Sequence, residues 1–191
     1  MSSVVHEFTA EVPVWKPYVT PVELAQASEV QLDALKVTPS NTKVSDYVLV
    51  LAHDVETLKH RTPLFNGVMY GAGGLSRAER ELGAVGASIV NRCIYCAAVH
   101  ASRYNQLTRS TDVIEAIFAA GVDAQIEPRL KTILRFAVKL SKCPSQADAG
   151  DMAALVEAGL SKEEILDLIL STSLFGWANR LMHSLGEPIR E

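Results

Sequence analysis

From residue 22 onward the apolar residues recur at three- and four-residue steps, and no segment alternates apolar with polar residues convincingly enough to read as a strand. Tyr47, Val48, Leu51, Val55 and Leu58 show the pattern within 44–59. The chain therefore folds as helices packed on helices. The spacing and the stop signals predict helices over 22–35, 44–59, 77–90, 93–107, 112–120, 129–140, 151–158 and 162–184. Ser76 with Glu79, and Ser161 with Glu164, are capping boxes opening two of them. Pro63 and the glycines at 67, 71, 73 and 74 break the chain before the first box. Gly83 and Gly86 mark a close helix contact. Residues 1–20 carry Pro13 and Pro17 and little periodicity, and read as an extended arm that packs on a neighbouring subunit or stays mobile. Residues 21–191 then form a single all-α domain. A box, a small-residue helix and an Asn-Arg pair occur at Ser76…Asn91-Arg92 and again at Ser161…Asn179-Arg180. That echo suggests two similar halves.

At 191 residues the chain is long enough for one sizeable core. Its 18 basic and 22 acidic residues are scattered, giving a net charge of −4 and no basic stripe interleaved with aromatics, so nucleic acid is not expected. The longest apolar stretch, 165–177, is interrupted by Asp167, Ser171, Thr172 and Ser173 and falls short of a bilayer span. No secretory signal opens the sequence. The expected location is the cytoplasm, where a lone Cys-x-x-Cys is catalytic or metal-binding more often than a structural disulfide.

Chemistry concentrates at Cys93, Cys96 and His100, whose spacing brings two thiols and an imidazole onto one helix face. If helices 77–90 and 93–107 form an antiparallel hairpin bending near Asn91, Glu81 and His100 fall at one level, about 14–15 Å from the turn at 1.5 Å per residue. A carboxylate facing a ring nitrogen fixes the tautomer and frees the other nitrogen to take a thiol proton. Cys93, at the helix N-terminus, is favoured as thiolate by the helix dipole; Cys96, one turn from His100, is favoured by the base. Spacing does not choose between them. Zinc on the same residues is the weaker reading, because structural sites prefer loops and usually add further Cys or His. No cofactor is expected, and no Gly-rich dinucleotide fingerprint appears.

Cys93-x-x-Cys96-x-x-x-His100 with Glu81 upstream resembles the signature of the alkylhydroperoxidase D (AhpD)-like, peroxidase-related branch of the carboxymuconolactone decarboxylase superfamily. The segments RLKTILRFAVKLSKCP and LVEAGLSKEEILDLILSTSLFGWANRLMHSLGEPI resemble that branch too, and the likeness runs from about residue 45 to 189 with a redox core over about 45–125. It implies an all-helical AhpD-like bundle, homo-oligomers (trimers, or dimers and hexamers built from them), and antioxidant reduction of hydroperoxides by a dithiol that cycles through a disulfide. By matching position it implies Cys96 as the attacking thiol, Cys93 as the resolving thiol, and Glu81 with His100 as proton relay. The family proper has a histidine where this chain has Tyr95, and a phenol is a poor base at neutral pH. Tyr95 is therefore expected to line the pocket.

Trp177, Asn179 and His183 form a stripe on the last helix that either packs the core and caps the chain or lines the substrate pocket. Phe65, Met69 and Tyr70 are placed to close the pocket from a Gly-rich lid. The apolar character of 165–177 calls for burial, and a homo-oligomer is expected to supply it. Expected partners are a hydroperoxide and a dithiol or protein electron donor. The alternatives are a redox sensor or disulfide exchanger without peroxide turnover, and the superfamily's lactone or decarboxylase chemistry, which needs no thiols.

Overall fold

The computed structural model describes residues 2–35 and 43–190. Among them nine α-helices carry the fold: α1 (Glu29–Ala34), α2 (Asp46–Leu51), α3 (Val55–Tyr70), α4 (Arg77–Val90), α5 (Ile94–Thr108), α6 (Asp112–Ala120), α7 (Pro128–Ser141), α8 (Ala149–Glu157) and α9 (Lys162–Leu185). The all-α class holds, and most boundaries fall within a residue or two of the sequence reading.

Helix α4 is the axis of the bundle, packed on α5, α7 and α9. Small residues make that possible. A Cβ on Gly86 would lie 2.8 Å from the Ala137 Cβ of α7, and one on Gly83 would lie 2.9 Å from Thr172 Oγ1 of α9. Leu82, Val85, Ile114, Ile133, Leu134, Leu155 and Leu168 fill the core around this axis. The two capping boxes form as expected and serve one tie. Glu79 and Glu164, the third helical residues of α4 and α9, both accept from Arg129, at 2.6 and 2.7 Å. Near the far ends Asn91 Nδ2 donates to Asn179 Oδ1 at 3.2 Å. The sequence echo thus corresponds to two parallel helices joined at both ends.

Several expectations need correction. Short strands do exist: β1 (Ser3–Val4) and β2 (Val14–Pro17) pair antiparallel with β3 (Gly186–Arg190) in the order β1-β3-β2. The arm therefore packs on its own C-terminus. Strands this short, with Pro17 and Pro188 inside the pairing, give no alternation to read, and their partners lie some 170 residues away in sequence. Trp15 of β2 is buried against Gly186, where a Cβ would come within 2.5 Å of the indole.

Region 44–59 is two helices, because Asp54 caps α3 by accepting from Thr57 N at 3.0 Å. Pro63 sits inside α3; its ring is exposed, and the helix is held by buried Leu58, Phe65, Val68 and Met69. Residues 22–35 give only a 3-10 turn at Leu24–Gln26 and the short α1. Finally, α9 is not buried on all sides: Leu166, Leu170 and Trp177 are exposed at 54%, 42% and 42%. No helix among the described residues is long and apolar enough to cross a membrane.

Candidate active site

The turn between α4 and α5 sets the cysteines. Asn91 closes α4, Arg92 takes the left-handed conformation at φ 52°, and Cys93 becomes the N-cap of α5 with its N–H on Ser88 O at 2.9 Å. Helix α9 holds this turn from behind. Asn179 donates to Ser88 Oγ at 3.2 Å and accepts from Asn91, while His183 Nε2 lies 2.9 Å from Asn91 O. Cys93 and Cys96 are joined as a disulfide across the first turn, with Cα atoms 5.4 Å apart. Both are buried, beside Trp15, Tyr47, Val50 and Met182.

Antiparallel packing of α4 and α5 brings His100 Nδ1 to 2.5 Å from Glu81 Oε2. Glu81 is 1% exposed, and its second oxygen accepts from Arg77 Nε at 2.9 Å and from a terminal guanidinium nitrogen of Arg77. Burial pushes the Glu81 carboxyl up, but the charges of His100 and Arg77 outweigh it and hold the group below the ordinary carboxylate range. Phe175 packs edge-on against the imidazole, with centroids 4.0 Å apart. With Nδ1 engaged by Glu81, Nε2 is the nitrogen available to the cavity.

That cavity has a volume of about 520 Å³ and is walled by α2, α3, α4, α5 and α9. Cys96, His100, Glu81 and Tyr95 line it; Cys93 does not, and instead lines a smaller pocket of about 190 Å³ under the terminal sheet. Burial and the nearby Asp46 charge raise the Tyr95 phenol, so it is neutral, and it stands in the cavity wall. Of the last-helix stripe, none lines the main cavity. Asn179 is fully buried behind it, His183 is exposed at its rear, and Trp177 opens onto a separate groove while packing on Phe65 at 5.9 Å. The wall from α9 is Phe175, Ala178 and Met182, in a different register of the same helix.

Phe65, Met69 and Tyr70 do line the cavity, but from α3 and not from a loop. The Gly-rich segment is no free lid: Arg80 donates to Val68 O, Gly71 O, Gly73 O and Asp167, and Leu75 N bonds Asp167 as well. The sequence reading missed Arg61, Tyr47 and Arg77, all on the cavity wall. Arg77 had a signal, since it stands four residues before Glu81. Among the described residues no group of three or more His, Cys, Asp or Glu is arranged to hold a metal ion.

Residues 56–139 match the carboxymuconolactone decarboxylase family. Among solved structures, a peroxidase-related protein with an alkylhydroperoxidase AhpD core from Ralstonia eutropha JMP134 is 27% identical, covers 88% of this chain and 90% of its own, and has a TM-score of 0.76. A peroxidase-related protein from Silicibacter sp. TM1040 shares the fold at 24% identity, covering 90% and 92%, with a TM-score of 0.74. The debrominase Bmp8 shares it at 16% identity, covering 87% and 89%, with a TM-score of 0.71. No curated protein matches the chain significantly. With a dithiol on α5 and a Glu-His pair bridging α4 and α5, the chain is similar to the carboxymuconolactone decarboxylase family over residues 56–139 and to an AhpD-core, peroxidase-related protein over most of its length.

Proposed function

We propose that the protein is a thiol-dependent hydroperoxide reductase. One observation carries this reading: Cys96 and His100 share one cavity wall, His100 is held by a buried carboxylate, and Cys93 is within bonding reach of Cys96 behind it. In the reduced protein His100 Nε2 takes the Cys96 proton, directly or through a water. The thiolate attacks the terminal peroxide oxygen; the S–O bond forms, the O–O bond breaks, and the alkoxide leaves with the proton held on His100. Cys96 is then a sulfenic acid. Cys93 attacks its sulfur, forming the disulfide and releasing water. A dithiol or protein donor reduces the disulfide and is itself oxidised. Glu81 orients the imidazole and stabilises its charged form.

In Cys93→Ser the sulfenic acid has no resolving partner. Hydroperoxide followed by dimedone should therefore label Cys96 alone, seen by mass spectrometry. Label on Cys143 alone, or none, overturns the reading.

A second chemistry has one observation in its favour: aromatic walls at Phe65, Tyr95 and Phe175, together with a debrominase of the same fold. The same dithiol would supply two electrons to a carbon–bromine bond, giving the hydrocarbon, bromide and the disulfide. Bromide release from a brominated pyrrole by the reduced protein tests it. The exposed Leu166, Leu170 and Trp177 support a homo-oligomer as the working state.

A further inference from the structure

One half-buried cation on the cavity wall has no part in the thiol chemistry. Arg61, on α3, lies with its guanidinium over the Phe65 ring, 3.9 Å from the centroid, and 5.5 Å from that of Tyr47. Its Nε is buried and has no hydrogen-bond acceptor among the described residues, and the buried Tyr47 hydroxyl, which faces the same guanidinium, has no other partner among them. Buried donors of this kind are bonded in the great majority of native structures, to protein, water or ligand. No carboxylate pairs with Arg61 among the described residues, whereas Arg77 and Arg80 each have one and Arg129 has two.

Basic residues scattered in the sequence are gathered here by the fold. Lys43, Arg61, Arg77 and Arg103 line the cavity, against the single carboxylate of Glu81, which is already bonded to Arg77 and His100. The cavity is thus electropositive in a chain whose net charge is −4. The cavity wall also carries apolar side chains, among them Phe65, Met69, Phe175 and Met182. A guanidinium edge offers parallel N–H donors that suit a carboxylate, and the Tyr47 hydroxyl adds one more. The donors match two oxygens and one charge, fewer than a phosphate would bring.

We propose that Arg61 and Tyr47 form a carboxylate-binding subsite, so that the substrate is an organic acid whose apolar body spans the cavity and whose reactive end meets Cys96. Resting on the peroxidase reading, that substrate class is the hydroperoxy acids.

Two measurements separate the subsite from the chemistry. Decanoate and decanol are titrated into the oxidised protein by calorimetry, with no turnover involved. Decanoate should bind at least about tenfold tighter, as a charge-assisted bond in a buried site gives. Arg61→Leu should remove the difference, and Arg61→Lys should keep only part of it. Equal binding of acid and alcohol by the wild type, or binding of neither, overturns the subsite without reference to any variant. The kinetic arm compares a hydroperoxy fatty acid with its methyl ester under a chemical dithiol. The acid should show a KM about tenfold lower at similar kcat, and equal KM values count against the proposal. Decanoate held by Arg61 with no peroxide consumed leaves the subsite standing and removes the peroxidase reading.

Discussion

Replacing Glu81 with Gln changes one atom in the most buried contact of the site. Glu81 is 1% exposed, with one oxygen 2.5 Å from His100 Nδ1 and the other on Arg77. Gln keeps the shape. If its oxygen stays with Arg77, its amide presents N–H to His100 Nδ1, which must then be the unprotonated nitrogen. The ring proton moves to Nε2, and Nε2 no longer accepts from the thiol side. Loss of a general base is worth about 10²–10⁴-fold, so oxidation of the reduced protein by cumene hydroperoxide should slow by that range. Stability should fall as well. Removing one partner of a fully buried pair costs about 3–5 kcal/mol. Arg77 is 23% exposed and retains a bond to the amide oxygen, which reduces the loss to about 1–3 kcal/mol. The sign in pH follows from the Glu81 carboxyl lying below its ordinary value when folded. Its ionised form stabilises the fold fully above the unfolded-state value and is lost as pH falls through the folded one. The gap in urea stability between wild type and variant should be constant around neutral pH and close in acid. A folded variant that reacts within about threefold of the wild type refutes the relay.

Gly86→Ala raises helix propensity by about 1 kcal/mol but puts a Cβ 2.8 Å from that of Ala137. Overpacking at this helix crossing should win, with a net loss of about 1–3 kcal/mol by urea unfolding, and a stabilised variant would show that α4 and α7 separate easily. Deleting residues 1–20 removes β1, β2 and buried Trp15, so about 3–5 kcal/mol should be lost, while unchanged stability would mean that the sheet is dispensable. The same deletion should leave the oligomeric state unchanged, because the arm pairs with its own chain. Light scattering of the full-length protein should give a multiple of 20.7 kDa, and a mass of 20.7 kDa would show that the exposed stripe of α9 is left to solvent.

The parts of this molecule that were legible in the sequence are those whose partners lie close along the chain. Capping boxes at Ser76 and Ser161, small residues at Gly83 and Gly86, and the level match of Glu81 with His100 all follow from helix period and one short turn. Contacts between distant segments were not legible. The pairing of Trp15 with Pro188, the tie of Arg80 to Asp167, and the seat of Arg61 beside Tyr47 depend on how helices and termini pack. On α9 the register decides: Asn179 and His183 pack on and tie the α4–α5 turn, while Phe175, Ala178 and Met182 line the main cavity, because α4 and α5 fix which side of α9 is turned inward.

If Cys93 and Cys96 act together as a two-electron centre, thiol counting by stopped flow will register it. The fully reduced protein, with three thiols per chain, is mixed with one equivalent of cumene hydroperoxide. The expected result is loss of two thiols and formation of one equivalent of cumyl alcohol. The remaining thiol should be Cys143, which is exposed and unpaired in the fold. Persistence of all three thiols, with the peroxide unconsumed, would contradict the account.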